Sequence, residues 1–366
     1  MDNRLQSLDI FRGITIAFMI IVNTPGDWSI AYDMLEHAKW HGFTPTDLVF
    51  PSFVFITGVS SWFSFQKYNH TLSATLFGKI WKRTAILFLL GVMLYAFPFY
   101  NKPIGNWRIL GVLQRIALCY GIGTTLCLLL NKKQIWGFSA LLLLGYWAIL
   151  TQFGDLSLEN NAVRTLDLWL FGDGHLYHGE GIGFDPEGLL STLPSLVTFF
   201  IGYLVGQYIG QAQDKKAVVR QLLIASIALI ATAELWHLVF PINKKLWTSS
   251  YVLLAGGLSM LIFTWVYQIA DIKGQTNWGK FFTILGTNAI LAYLVSEYLV
   301  IILSEFVKIP EAQDIVINGH EASYRYLFTM WLGRNDFSSF IFAICYMLVC
   351  WAVVYVFYKR KIFLKV

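Results

Sequence analysis

Apolar runs close to twenty residues long recur along this chain, separated by short polar pieces. Wound as a helix, a run of that length matches the hydrocarbon thickness of a bilayer. Inside hydrocarbon the backbone must satisfy its own hydrogen bonds, and a helix does so within one segment. The runs predict ten spans, at about 8–24, 48–66, 84–100, 110–130, 135–152, 189–210, 218–240, 247–270, 281–303 and 338–358. Composition points the same way. A soluble domain carries about 25% charged residues. This chain carries 13%, with 56% hydrophobic residues and a mean hydropathy of +0.57. The expected fold is all-α: a single polytopic membrane domain over 1–366.

Lysine and arginine set the orientation. With the N-terminus inside, 17 of them fall on inner segments, among them Arg4, Arg12, Lys82, Arg83 and Lys365, and 9 on outer ones. Cytoplasmic loops carry the basic excess, so both termini are expected in the cytoplasm. The first run, Ile14 to Val22, leads into Asn23-Thr24-Pro25-Gly26 without a small-residue cleavage site, so it reads as a retained span. The outer segments are 25–47, 101–109, 153–188, 241–246 and 304–337. Loops longer than about 15 residues are usually functional or disordered. The 153–188 stretch mixes acids and glycines with Trp169, Phe171 and Phe184, which suits a sugar-contacting surface. The net charge of +5 arises from clusters beside the spans, so lipid rather than nucleic acid is the expected partner. Cys119, Cys127, Cys345 and Cys350 all lie in apolar segments and predict no disulfide framework.

One outer stretch, 36–51, places His37, His41 and Asp47 just before a span. A histidine near neutral pKa takes a proton or attacks an activated acyl group. A carboxylate on its other nitrogen fixes the tautomer and stabilises the cation. Solvated loop histidines are the competing reading, and pattern alone favours them. His37 and His41 lack a third ligand at helical spacing, so no metal site is predicted. Arg115 sits within a span, where an arginine faces a polar cavity or a partner. It either holds a phosphate or carboxylate or locks two helices. Asp9 and Arg12 either pair on one helix face or line a polar path with Asn23. Glu234 with His237, and Asn288 with Glu297, are intramembrane polar groups that mark a pathway or join helices. No phosphate-binding glycine loop and no nucleophile elbow is present.

Several stretches, in order through most of the chain, resemble the heparan-α-glucosaminide N-acetyltransferase family and its bacterial relatives. They are Arg4-Leu5-Gln6-Ser7-Leu8-Asp9-Ile10-Phe11-Arg12-Gly13, Val22-Asn23, His37-Ala38-x-Trp40-x-Gly42 and Asp47-Leu48-Val49-Phe50-Pro51. They continue with Arg108-Ile109-x-Gly111-Val112-Leu113-Gln114-Arg115, Asp185-Pro186-Glu187-Gly188, Asn243-Lys244-x-Leu246-Trp247 and Asn288-x-Ile290-Leu291-x-Tyr293. The resemblance implies a ten-span catalytic core that passes acetyl from cytosolic acetyl-CoA to an amino sugar across the membrane. It assigns the active histidine to His37 rather than His41, gives Asp47 the partner role, and implies a homodimer.

On this reading Arg12, Lys82, Arg83 and Arg115 are candidates for contacting acetyl-CoA. Asn23, Trp40, Arg108, Asp185, Glu187, Asn243, Lys244, Asn288 and Glu297 are candidates for the acceptor side, with Asn23 or Asn243 as an oxyanion donor. The expected location is a bacterial inner membrane with His37 on the periplasmic face. The chain begins almost directly at its first span, unlike the lysosomal enzyme with its extra luminal region, which leaves the acceptor open. A transporter for an amino sugar or cell-wall fragment is the alternative, and a structural scaffold a third.

Overall fold

The computed structural model describes residues 5–100, 102–311 and 316–364; Arg4 and Lys365 lie outside them. In chain order the helices are α1 (Gln6–Asn23), α2 (Val49–Phe65), α3 (Ala74–Ala96), α4 (Val112–Leu129), α5 (Lys132–Gln152), α6 (Ala162–Phe171), α7 (Thr192–Gln211), α8 (Lys215–His237), α9 (Ser249–Tyr267), α10 (Lys280–Thr287) and α11 (Ala289–Ile301). A short hairpin follows, β1 (Lys308–Pro310) and β2 (Val316–Asn318), then α12 (Gly319–Tyr324), α13 (Met330–Leu332) and α14 (Asp336–Lys359). Among the described residues, nine helices are long and apolar enough to cross a bilayer. The chain is an all-α polytopic membrane protein.

Three features differ in detail from the sequence reading. The expected third span falls in α3, which starts at Ala74 and carries Lys79, Lys82 and Arg83 along its first half. The expected ninth span is two helices, because the chain breaks between α10 and α11 at Asn288, with φ −132° and ψ 44°. The buried Asn288 amide holds the C-terminal segment there, donating to Ile362 O and accepting from Leu364 N–H, each at 3.0 Å. The outer segment 153–188 contains α6, whose N-terminus is capped by Asn161 accepting the Arg164 N–H at 2.8 Å.

The elements divide into two units. One comprises Met1–His37, Thr44–Val49 and Ile269–Lys365. Within it α1 packs along α10, with α11 and α14 also against α1. The crossing of α1 and α10 leaves no room for side chains. A Cβ on Gly13 would lie 1.8 Å from Phe282 O, and one on Gly286 would lie 1.8 Å from Asp9 O. Small residues permit such backbone contact between membrane helices. Asp271 caps α1, its two carboxylate oxygens accepting the Gln6 and Ser7 N–H groups at 3.0 Å each. First-turn N–H groups have no partner inside the helix, and a carboxylate there also meets the positive end of the helix dipole.

The other unit comprises Ala38–Phe43 and Phe50–Gln268. Its centre is α7, flanked by α4, α5, α8 and α9. A second reciprocal glycine crossing joins α2 to α7. Gly58 faces Phe199 O and Gly202 faces Phe55 O, at 2.1 and 2.0 Å from where a Cβ would stand.

Candidate active site

In the first unit the candidate site grows from a turn. Thr44-Pro45-Thr46-Asp47 opens a 3₁₀ helix, Pro45–Leu48, with proline in its first turn. Proline suits that position because its fixed φ is already helical and its missing N–H would have no partner. Three residues on, Asp47 reaches back and its Oδ2 accepts the Thr44 N–H at 3.0 Å. Its other oxygen, Oδ1, lies 2.7 Å from His37 Nδ1. Asp47 is buried and His37 is 41% exposed. A carboxylate only accepts, so Nδ1 carries the proton and Nε2 is the basic nitrogen of the ring. That is the electronic arrangement of a histidine base or nucleophile with an orienting carboxylate.

The remaining candidates of this unit lie apart from that turn in sequence. Asn23 ends α1 and is exposed. Arg12 Nη1 bonds Asp9 Oδ1 at 3.4 Å and Gly286 O at 3.2 Å, tying α1 to the end of α10. Asn288 holds the C-terminal segment. Glu297 lies in α11 and is partly exposed.

The second unit holds a buried charge cluster. Arg108 reaches Asp185 with Nε and Nη2 at 2.8 and 2.7 Å, and Glu187 with Nη2 at 2.6 Å. Its guanidinium lies between the rings of Tyr95 and Tyr177, 4.6 and 4.7 Å from their centroids. Burial alone would raise the Glu187 carboxyl, but Arg108, Lys244 and Arg115 together hold it below the usual range. Burial lowers the Arg108 guanidinium, but Tyr95, Asp185 and Glu187 outweigh it and raise it further. Arg115 is buried and touches none of these carboxylates within hydrogen-bond distance. It donates to Gly188 O at 2.8 Å, Ser191 Oγ at 2.5 Å and Ser195 Oγ at 3.1 Å, so it fastens the Asp185–Gly188 loop and the start of α7 to α4.

Nearby in the same unit, Asn243 Oδ1 accepts the Leu246 N–H at 2.8 Å, which fixes its amide. Its Nδ2 then faces His41 Nδ1 at 3.3 Å. An amide nitrogen only donates, so the His41 proton is on Nε2. Burial, and secondarily His237, lower the His41 pKa below its usual value. Trp40 donates Nε1–H to Leu156 O at 2.7 Å and packs on Phe184. Lys82 is exposed on α3, and the Arg83 guanidinium lies 4.7 Å from the centroid of the Tyr120 ring. Lys244 is partly buried and acts electrostatically on Glu187.

Three contributors escaped the sequence reading. Thr44 was signalled by its Thr-x-x-Asp capping spacing. Lys245, which donates to Glu180 at 2.6 Å and to Lys39 O at 2.8 Å, had no local signal. Asp167 on α6 was hidden by its surroundings. It is fully buried, accepts the Leu189 N–H at 3.0 Å, and is pushed up to about 7 by burial, with Asp185 adding to the shift.

The class defined so far is a polytopic α-helical membrane protein bearing a histidine–aspartate pair before a span. The comparisons give the family. The profile of the heparan-alpha-glucosaminide N-acetyltransferase catalytic family matches residues 4–239, and the chain belongs to that family. It is 31% identical to the Homo sapiens protein named heparan-alpha-glucosaminide N-acetyltransferase, over 80% of this chain and 53% of that one. It is 30% identical to the Mus musculus protein of the same name, over 81% of this chain and 54% of that one. The chain thus spans about half the length of the curated relatives it matches.

Proposed function

We propose that this chain is a transmembrane N-acetyltransferase. It takes acetyl from acetyl-CoA on the cytosolic side and passes it to the amine of an amino sugar or glucosaminyl glycan on the outer side. Both termini lie in the cytoplasm, and His37 faces outward, into the periplasm if the membrane is a bacterial inner membrane. The observation that carries the reading is the 2.7 Å contact between His37 Nδ1 and Asp47 Oδ1 in a member of an N-acetyltransferase family.

In the one-step route, Nε2 of His37 takes a proton from the attacking amine while nitrogen bonds to the acetyl carbon. The carbon–sulfur bond then breaks, and the thiolate leaves and is protonated. In the two-step route, Nε2 itself attacks the thioester, CoA departs, and the acetyl-imidazole is opened by the amine. In both routes the ring becomes cationic along the way, and Asp47 stabilises that charge through Nδ1–H.

The test is acetyl transfer from acetyl-CoA to glucosamine by the purified chain. His37→Ala should abolish it; full transfer by that variant would falsify the assignment. Brief incubation with labelled acetyl-CoA alone, followed by peptide mapping, separates the routes, since only the two-step route leaves label on His37. A second reading, an amino-sugar transporter, draws on the break at Asn288, because discontinuous helices mark substrate sites in transporters. Uptake of labelled glucosamine into vesicles without acetyl-CoA would favour it.

A further inference from the structure

We propose that Thr44 is a positioning residue for His37 and Asp47, its hydroxyl holding the peptide ahead of the histidine and its backbone N–H holding the carboxylate beside it. The proposal rests on the acetyl-transfer reading. Thr44 Oγ1 lies 2.6 Å from Glu36 O and 3.2 Å from Asp47 Oδ2. Glu36 O belongs to the same peptide plane as the His37 nitrogen, so holding that carbonyl holds the rotation of the backbone that carries the imidazole. The Thr44 N–H meanwhile holds Asp47 Oδ2 at 3.0 Å, which directs Oδ1 to His37 Nδ1. One residue therefore sets both partners of the pair.

The turn is tied down a second time. Thr46 Oγ1 lies 3.5 Å from Met34 O, a longer contact to the same approaching segment. Helix capping explains the Thr44 N–H to Asp47 bond. It does not require the hydroxyl to reach Glu36, eight residues back. A hydroxyl used only for capping would stabilise the turn without affecting the imidazole.

Thr44→Val removes the hydroxyl while keeping the shape and the N–H. Thr44→Ala removes it without the branched methyl, should valine disturb the fold, and Thr44→Ser retains it. Each is made in the full chain and assayed with acetyl-CoA and glucosamine. Thr44→Val and Thr44→Ala should lower kcat about tenfold, the effect of one net hydrogen bond, with both KM values within about twofold of wild type. Thr44→Ser should return kcat to within about threefold. In an Asp47→Asn background, Thr44→Val should change kcat less than about twofold, because residues acting through one another are not additive. Wild-type kcat in both hydroxyl-free variants, with only a lower Tm, overturns the proposal, as does the same tenfold loss in the Asp47→Asn background. Full transfer by His37→Ala overturns the underlying reading as well, and that variant shows it independently of Thr44.

Discussion

Asp47→Asn should cost far more than the loss of one charge, because the turn dictates how an asparagine would sit. Asp47 presents Oδ2 to the Thr44 N–H at 3.0 Å and Oδ1 to His37 Nδ1 at 2.7 Å. Asparagine has one oxygen for two donors. The Thr44 N–H is fixed in the backbone, whereas the His37 proton can move to the other nitrogen. The oxygen therefore goes to Thr44 and the amide NH₂ faces Nδ1. His37 is driven to the Nε2–H tautomer and loses its basic nitrogen. Restoring the active tautomer means flipping the amide, which leaves a buried N–H unsatisfied at roughly 1–3 kcal/mol. A hydrogen bond to a charged group, worth roughly 1.5–3 kcal/mol, is also gone. Together these come to roughly 2.5–6 kcal/mol, or a fall of about 10²–10⁴ in the rate constant. The assay is the initial rate of acetyl transfer from acetyl-CoA to glucosamine, with the elution profile and Tm of the purified variant as controls. A folded Asp47→Asn within about threefold of wild type would refute the tautomer argument.

Two further predictions concern the scaffold. The Asp167 carboxyl is pushed from 3.8 up to about 7 in the folded chain, burial being the main cause. The folded state therefore holds a proton that the unfolded state releases. Stability from this group is full below about pH 4, declines as pH rises toward 7 and stays lost above it, a span of roughly 4 kcal/mol. Asp167→Asn, which keeps the acceptor for the Leu189 N–H, should melt several degrees above wild type at pH 8, with the gap reduced to under about half at pH 5; parallel melting curves would contradict this. Gly58→Ala should prevent recovery of monodisperse protein, since its Cβ would stand 2.1 Å from Phe199 O. Gly78→Ala, with nothing within 4 Å of its Cβ, should be recovered normally.

Lipid made the helices legible. A span must be apolar over a fixed length, so α1, α5, α7 and α14 follow from run length alone. The break at Asn288 did not. Its partners are Ile362 and Leu364, 74 and 76 residues away, and Gly286-Thr287-Asn288 carries no proline to announce it. Arg115 shows the same limit. Its place in an apolar run marked it as polar-partnered, but the choice between ligand and structural partner depends on carbonyls and hydroxyls more than 70 residues on. Likewise Arg108, Asp185 and Glu187 were each visible as charges, while their meeting across 77 and 79 residues was not. His37 and Asp47 are only ten residues apart, and Thr44-Pro45 supplies the turn between them, so local sequence carried more of that pair.

The choice between the two histidines of this segment has a chemical basis beyond motif position. Each is held through Nδ1, but in opposite senses. His41 Nδ1 accepts from the Asn243 amide, which places its proton on Nε2 and makes that nitrogen a donor. Burial and His237 lower its pKa, which favours its neutral form. His37 Nδ1 donates to Asp47, which makes its Nε2 an acceptor. Attack on a thioester, or removal of a proton from an amine, requires a lone pair on the nitrogen that meets the substrate. His37 has one there by virtue of its partner, and His41 could acquire one only by giving up its bond to Asn243. The difference lies in the partners, a carboxylate against an amide, and so would persist if the two rings were equally exposed.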